Sequence, residues 1–230
     1  MNLKIRKGGG NMNFSCSACG ADLRLNHLLE DCEVSPMSNH SQIFAPKCAL
    51  CGHPIALADV ANSIQKNRKI LLITGTAGAG KTALGQRIAC GSDYVFVDGD
   101  AVQKRVHFLM KRNPKFKANC QTETLHTAMT LLALGYDVVV GYIINRETLK
   151  TYTAALAKYG IVPTFRVLVP ERAACLARDE SRECWTAGAQ WVDQWYDEMR
   201  SYLKTHPALC IDSSGESLEE TFQTHFAKLL

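Results

Sequence analysis

A doubly wound α/β domain with five parallel strands, preceded by a small cysteine-rich module, is the architecture this sequence predicts. Three observations predict it. Between Lys69 and Leu230, short apolar runs alternate with longer helical patterns, the signature of a parallel sheet with crossover helices. A glycine-rich loop, Gly75 to Thr82, joins the first of those runs to the first helical stretch. From Phe14 to Ala58 the texture is different, rich in Cys, His, Ser, Asn and Pro with few long apolar periods.

The chain divides accordingly. Residues 1–11 form a polar, glycine-rich lead with no hydrophobic period and are expected to be disordered. One hypothesis makes Met12 the native start, because Lys-Gly-Gly-Gly-Asn is what a purine-rich ribosome-binding site would encode if translated. Residues 12–58 form the cysteine module and 59–68 a linker, with Asp59 to Lys66 as a linking helix. Residues 69–230 form the α/β domain. Its strand candidates are KILLIT (69–74), YVFVD (94–98), DVVVGYII (137–144), TFRVLV (164–169) and ALCID (208–212). Each is short and strongly apolar, as strands buried on both faces are. The predicted helices are Lys81–Ala89, Thr122–Leu134, Arg146–Tyr159, Glu171–Asp179, Ala189–Leu203 and Leu218–Leu230.

Composition bounds the function. With 230 residues, 47% hydrophobic and 21% charged, the chain has the balance of a soluble globular protein and not of a fibrous or disordered one. A formal net charge of +4 does not by itself imply a nucleic-acid or membrane partner. No apolar run reaches the roughly 18 residues a spanning helix needs, and the N-terminus lacks the apolar segment of a secretory signal. The expected location is cytoplasmic, without membrane association. Ten cysteines, four of them in two CxxC pairs, favour reduced thiols and metal over a disulfide scaffold.

GTAGAGKT, residues 75–82, matches GxxxxGK[ST] at every fixed position and sits between a predicted strand and a predicted helix. Gly75, Gly78 and Gly80 take backbone conformations closed to other residues, so the successive N–H groups of a loop that also holds Thr76, Ala77 and Ala79 can turn inward around a phosphate. Lys81 is placed to reach the β- and γ-phosphates, and Thr82 to ligate magnesium with its hydroxyl. The expected ligand is ATP with Mg2+. The bland alternative is a glycine-rich turn.

Motors and switches of the phosphate-loop class commonly end their third core strand with an acid, but DVVVGYIIN carries Gly141 and Asn145 there. The acids stand instead in VFVDGD, where Asp98 and Asp100 end the second strand at the edge where open α/β sheets bind ligands. With GTAGAGKT, DGD, VPERAACLARDESR and IDSSGESLEET in this order, residues 69–230 resemble the small P-loop kinases of metabolites, a group including shikimate, gluconate and adenylylsulfate kinases and chloramphenicol phosphotransferase. The resemblance implies a kinase that transfers the γ-phosphate of ATP to a small-molecule or nucleotide acceptor. It implies that Asp98 organises the magnesium shell and that Asp100 binds or deprotonates the acceptor, with the identity of the base left open between them. It also implies a basic lid in which Arg172, Arg178 and Arg182 clamp the triphosphate, and a last loop that contacts the base. A polar turn at DGD and a salt-bridged helix around Glu180 and Glu183 are the corresponding bland readings.

On the acceptor side, Lys104, Arg105, His107, Lys111, Arg112, Lys115 and Lys117 form a basic run suited to an anionic acceptor, a nucleotide or a nucleic-acid end, or else a solvated face. Asn145 and Arg146 are further acceptor candidates. A polynucleotide end kinase and an ATP-binding regulatory or adaptor protein are the alternative functions; a protein partner is not specified by any motif.

Cys16-Ser-Ala-Cys19-Gly and Cys48-Ala-Leu-Cys51-Gly are separated by 28 residues and resemble a zinc ribbon. Two CxxC turns aim four thiolates at one point, a closed tetrahedral site of structural type for Zn2+. His27, Cys32, His40 and His53 are substitute ligands, and a redox dithiol is the alternative. Cys90, Cys120, Cys175 and Cys210 read as core residues. Trp185, Trp191, Trp195, Tyr196 and Tyr202 read as a packed helical face, with base stacking as the lesser option.

Overall fold

The computed structural model describes residues 64, 66–113, 119–181 and 186–230. The four cysteines of the expected zinc site, Lys115, Lys117, Arg182 and Trp185 lie outside the described residues; of the expected linking helix only Ile64 and Lys66 are described, and neither is helical.

Five strands, β1 (Ile70–Gly75), β2 (Tyr94–Asp98), β3 (Asp137–Gly141), β4 (Thr164–Leu168) and β5 (Cys210–Ile211), form one sheet in the order β2-β3-β1-β4-β5. Every pairing is parallel. The helices are α1 (Lys81–Gly91), α2 (Gly99–Arg112), α3 (Cys120–Ala133), α4 (Arg146–Ala157), α5 (Arg172–Glu180), α6 (Ala189–Thr205) and α7 (Leu218–His225).

Both faces of the sheet are covered, so its strands read as continuous apolar runs and not as alternating ones. Ile70, Leu72, Val138, Val140, Phe165 and Val167 face a core closed by Val106 of α2, Leu132 of α3, Tyr152 and Leu156 of α4, and Met199 and Tyr202 of α6. Leu71, Ile73, Phe96 and Val139 face the other way, onto Leu84 and Ile88 of α1 and Phe222 of α7.

Four departures from the sequence reading have local causes. Residues 99–112 form a helix that the sequence reading left out of its helices, and Asp98 caps it with its side chain. Strand β3 stops at Gly141, short of Ile144, because the Thr74 hydroxyl takes the Ile144 N–H at 2.8 Å in place of a strand neighbour. Pro207–Leu209 forms a 3-10 turn, leaving β5 only Cys210 and Ile211. The last helix ends at His225, where Phe226 and Ala227 both donate to the Phe222 carbonyl.

Candidate functional site

The glycine-rich loop leaves the central strand of the sheet. β1 lies between β3 and β4, whose chains depart to either side, and the carboxyl edge at such a point is where α/β sheets bind ligands. Gly78 adopts a φ of +73°, and a Cβ there would sit 2.0 Å from the Cys175 carbonyl oxygen, so the loop and α5 approach too closely for any other residue. The Thr76 hydroxyl donates to the Val192 carbonyl at 2.7 Å and stitches the loop to α6. Helix α1 begins after Gly80 with no side-chain cap and no acid in its first turn. A helix start of this kind, without a side-chain cap, is where an anion can be received.

Lys81 is buried, and its ammonium donates to the carbonyls of Gly75 at 2.9 Å and Thr76 at 2.8 Å. It is folded along the loop whose phosphates it is expected to meet.

Asp98 ends β2 in register with Gly141 of β3. It is buried, and its Oδ1 accepts the Asp100 N–H at 3.0 Å, which starts α2 and puts Asp100, half-buried, in the first turn. Burial, reinforced by the Asp100 charge, raises the Asp98 carboxyl above its ordinary range; the N–H groups of Asp100 and Ala101 and the Lys81 charge pull the other way. Under the helix start lies Tyr142, whose hydroxyl donates to Gln103 Oε1 at 3.0 Å. Burial pushes this phenol well above its ordinary value, so it remains a donor.

The opposite wall is made by α5 and the loop after β5. Arg178 donates to the Ser213 hydroxyl at 3.2 Å, to the Ser213 carbonyl at 2.5 Å and to the Glu216 carbonyl at 3.4 Å. Ser217 and Glu220 form a capping box that fixes the start of α7 beside it.

These walls enclose one cleft of about 1410 Å³. The structure brings Ala77, Gly78, Ala79, Gly80, Lys81, Thr82, Asp98, Asp100 and Arg178 to its lining. Gly75 and Thr76 lie beneath it, presenting their carbonyls to Lys81. Gln103, Lys104 and His107 border the Asp100 end. Trp191, read from sequence as packing, is 53% exposed and lines the cleft.

Other candidates are used elsewhere. Arg172 does not join Arg178: it forms a two-pronged pair with Asp193 of α6, at 2.6 and 2.9 Å. Asn145 caps α4 through the Thr148 N–H, and Arg146 lies over the Tyr202 ring and donates to Ser201 and Thr205, and neither joins the cleft lining. Cys175 is buried as expected, but Cys90 is exposed. The signals for α2 that sequence reasoning passed over were an Asp cap and apolar residues at Val102, Val106 and Met110, each four apart.

A hydroxyl at Thr82 and a carboxylate at Asp98, opening on one cleft, are the hard oxygen donors magnesium takes. Among the described residues there is no cluster of three His, Cys, Asp or Glu side chains able to hold a metal alone, and no helix is long and apolar enough to cross a membrane.

No family model matches this chain, and no curated protein matches it. Solved structures do. The tunicamycin resistance protein of Deinococcus radiodurans aligns with a TM-score of 0.52 at 16% identity, over 71% of this chain and 96% of its own. A gluconokinase from Sinorhizobium meliloti aligns at 0.49 with 17% identity, over 69% and 89%. A shikimate kinase from Bacteroides thetaiotaomicron aligns at 0.45 with 17% identity, over 70% and 98%. The first of these likenesses, with the all-parallel order β2-β3-β1-β4-β5, shows the fold alone: an α/β domain built on one five-stranded parallel sheet.

Proposed function

We propose that this chain is an ATP- and magnesium-dependent kinase that transfers the γ-phosphate to a hydroxyl of a small-molecule or nucleotide acceptor. One observation carries the reading: the loop bearing Lys81 and the acids Asp98 and Asp100 open on the same cleft. Phosphoryl transfer needs little beyond alignment, charge neutralisation and a carboxylate aimed at the acceptor.

The loop amides and the α1 N-terminus hold the β- and γ-phosphates, and Lys81 exchanges its two loop carbonyls for phosphate oxygens. Thr82 and Asp98 hold magnesium, which when bound neutralises charge on the phosphates. Asp100 is assigned as the base, since Asp98 is more deeply buried and already engaged as the cap of α2. The acceptor hydroxyl gives its proton to Asp100 as its oxygen bonds the γ-phosphorus. The bond from that phosphorus to the β–γ bridging oxygen breaks, and its electron pair leaves on ADP. Arg178 steadies the nucleotide from the opposite wall, and Arg182 is assigned to the same lid. A screen of hydroxylated metabolites, nucleosides and 5′-hydroxyl oligonucleotides with γ-labelled ATP tests the reading. Label should appear in one acceptor and disappear from it with Asp100→Asn; label released only to water from every acceptor would contradict it.

For residues 12–58 the reading keeps a structural zinc ion on Cys16, Cys19, Cys48 and Cys51, in a cytoplasmic protein whose kinase domain spans 69–230. The paired CxxCG turns support it. Metal analysis of the native protein should find zinc that is lost with Cys16→Ser plus Cys48→Ser; native protein without zinc would refute it.

A further inference from the structure

The solvent face of α2 carries charge that the chemistry at Asp100 does not use. From Ala101 to Arg112 there are four cations, Lys104, Arg105, Lys111 and Arg112, and no acid. All four are exposed, and so is His107. Two arginines elsewhere on the described surface meet acids closely, Arg87 with Glu219 and Arg172 with Asp193, each at 2.6 Å. Arg105, Lys111 and Arg112 enter no ion pair with a described residue. The helix dipole accounts for Lys111 and Arg112 in the last turn. It does not account for Arg105, which has no acid three or four residues away on the helix.

The same face exposes apolar surface. Phe108 is 55% exposed, and the Arg112 guanidinium lies 5.1 Å from its ring centroid. Arg105, Phe108 and Arg112, spaced three and four apart, make one stripe of cation, ring and cation. Rings beside cations are how proteins hold unpaired bases and track the phosphates between them.

The helix also starts at the proposed reaction centre. Lys104 and His107, one and two turns past Asp100, line the cleft with it. At 1.5 Å per residue, Lys111 stands about 16 Å from Asp100 along the axis, a span that suits a chain of phosphates and exceeds what one small anion can use.

We propose that this face of α2 is the track for a single-stranded polynucleotide whose terminal hydroxyl is delivered to Asp100. The delivery step rests on the kinase reading above, naming its acceptor; the track itself is a binding surface that can be tested without ATP.

The test is fluorescence anisotropy of a short single-stranded oligonucleotide, DNA and RNA in parallel, with a free 5′-hydroxyl and a 3′ dye. It is titrated with the full chain over a range of sodium chloride. Binding should weaken with salt, and Arg105→Gln plus Arg112→Gln should lower the slope of log K against log salt by about 1.4, two single-strand phosphate contacts at about 0.7 each. Phe108→Ala should weaken binding about tenfold with the slope unchanged. Lys150→Gln plus Lys158→Gln, which removes the same charge from exposed positions on and just after α4, should leave the slope alone. No salt-dependent binding by the parent, equal slope loss from both pairs, or duplex binding as tight as single-strand binding would each overturn the proposal. Oligonucleotide binding with no phosphorylation of any acceptor would sink the kinase reading and leave the track. Transfer to a small metabolite with no oligonucleotide binding would do the reverse.

Discussion

The carboxylate of Asp98 accepts the backbone N–H of Asp100 at 3.0 Å, so one acid sets the helix start that carries the other. Asp98 is buried and Asp100 half-exposed, and the two should fail differently. Asp100→Asn keeps the cap and the fold but loses the base. It should lower the transfer rate by about 100-fold or more, the usual worth of general base catalysis, with the melting temperature unchanged. Steady-state kinetics beside a thermal melt checks both halves.

Asp98 gives the stability curve a predictable sign. Its folded carboxyl titrates above the ordinary value of 3.8, chiefly through burial. The folded state therefore holds this proton more tightly than the unfolded state, and stability falls as pH rises from near 3.8 through the raised folded value. Asp98→Asn retains a capping oxygen without the charge. Its stability relative to the parent should rise across that window and then stay level toward neutral pH. Denaturant melts of the ligand-free protein at several acid pH values test this; a difference independent of pH would contradict it.

Arg178 and Arg172 sit two turns apart on α5 yet do different work. Arg178 reaches the cleft and the Ser213 loop, whereas Arg172 is exposed and spent on Asp193. Arg178→Ala should raise the KM for ATP about tenfold to a hundredfold, the loss of one hydrogen-bonded charged contact. Arg172→Ala should leave that KM where it was. Equal effects from the two would remove Arg178 from the site.

Gly85 sets two effects against each other. In a helix interior Ala is favoured over Gly by about 1 kcal/mol, but a Cβ at Gly85 would lie 2.2 Å from the Phe96 ring of β2. Packing should win, so Gly85→Ala should destabilise by about 1–3 kcal/mol. The cost should shrink in a Phe96→Leu background, and a double-mutant cycle measures that coupling.

Much of the fold was legible because each buried strand is a short aliphatic run and the phosphate loop marks the first crossover. β2, Tyr94–Asp98, matches the sequence reading at both ends. What was illegible depended on single side chains acting across the fold. Nothing in DVVVGYII shows that the Thr74 hydroxyl will intercept the Ile144 N–H and end β3. Helix α2 was obscured because its buried face is as narrow as Val102 and Val106, while its cations read as a binding run or a solvated face. At the site, the loop, both acids and Arg178 were legible as motifs. The diversion of Arg172 to Asp193 and of Arg146 to Tyr202 was not, because each depends on a residue more than twenty positions away in α6.

The central claim is that the loop amides and Lys81 grip a triphosphate. Calorimetry with ATP and magnesium measures it directly. The parent chain should bind with clear heat, and Lys81→Ala, folded to the same melting temperature, should give none at the same concentrations. Equal heats from parent and variant, or no heat from the parent with any purine triphosphate, would contradict the account.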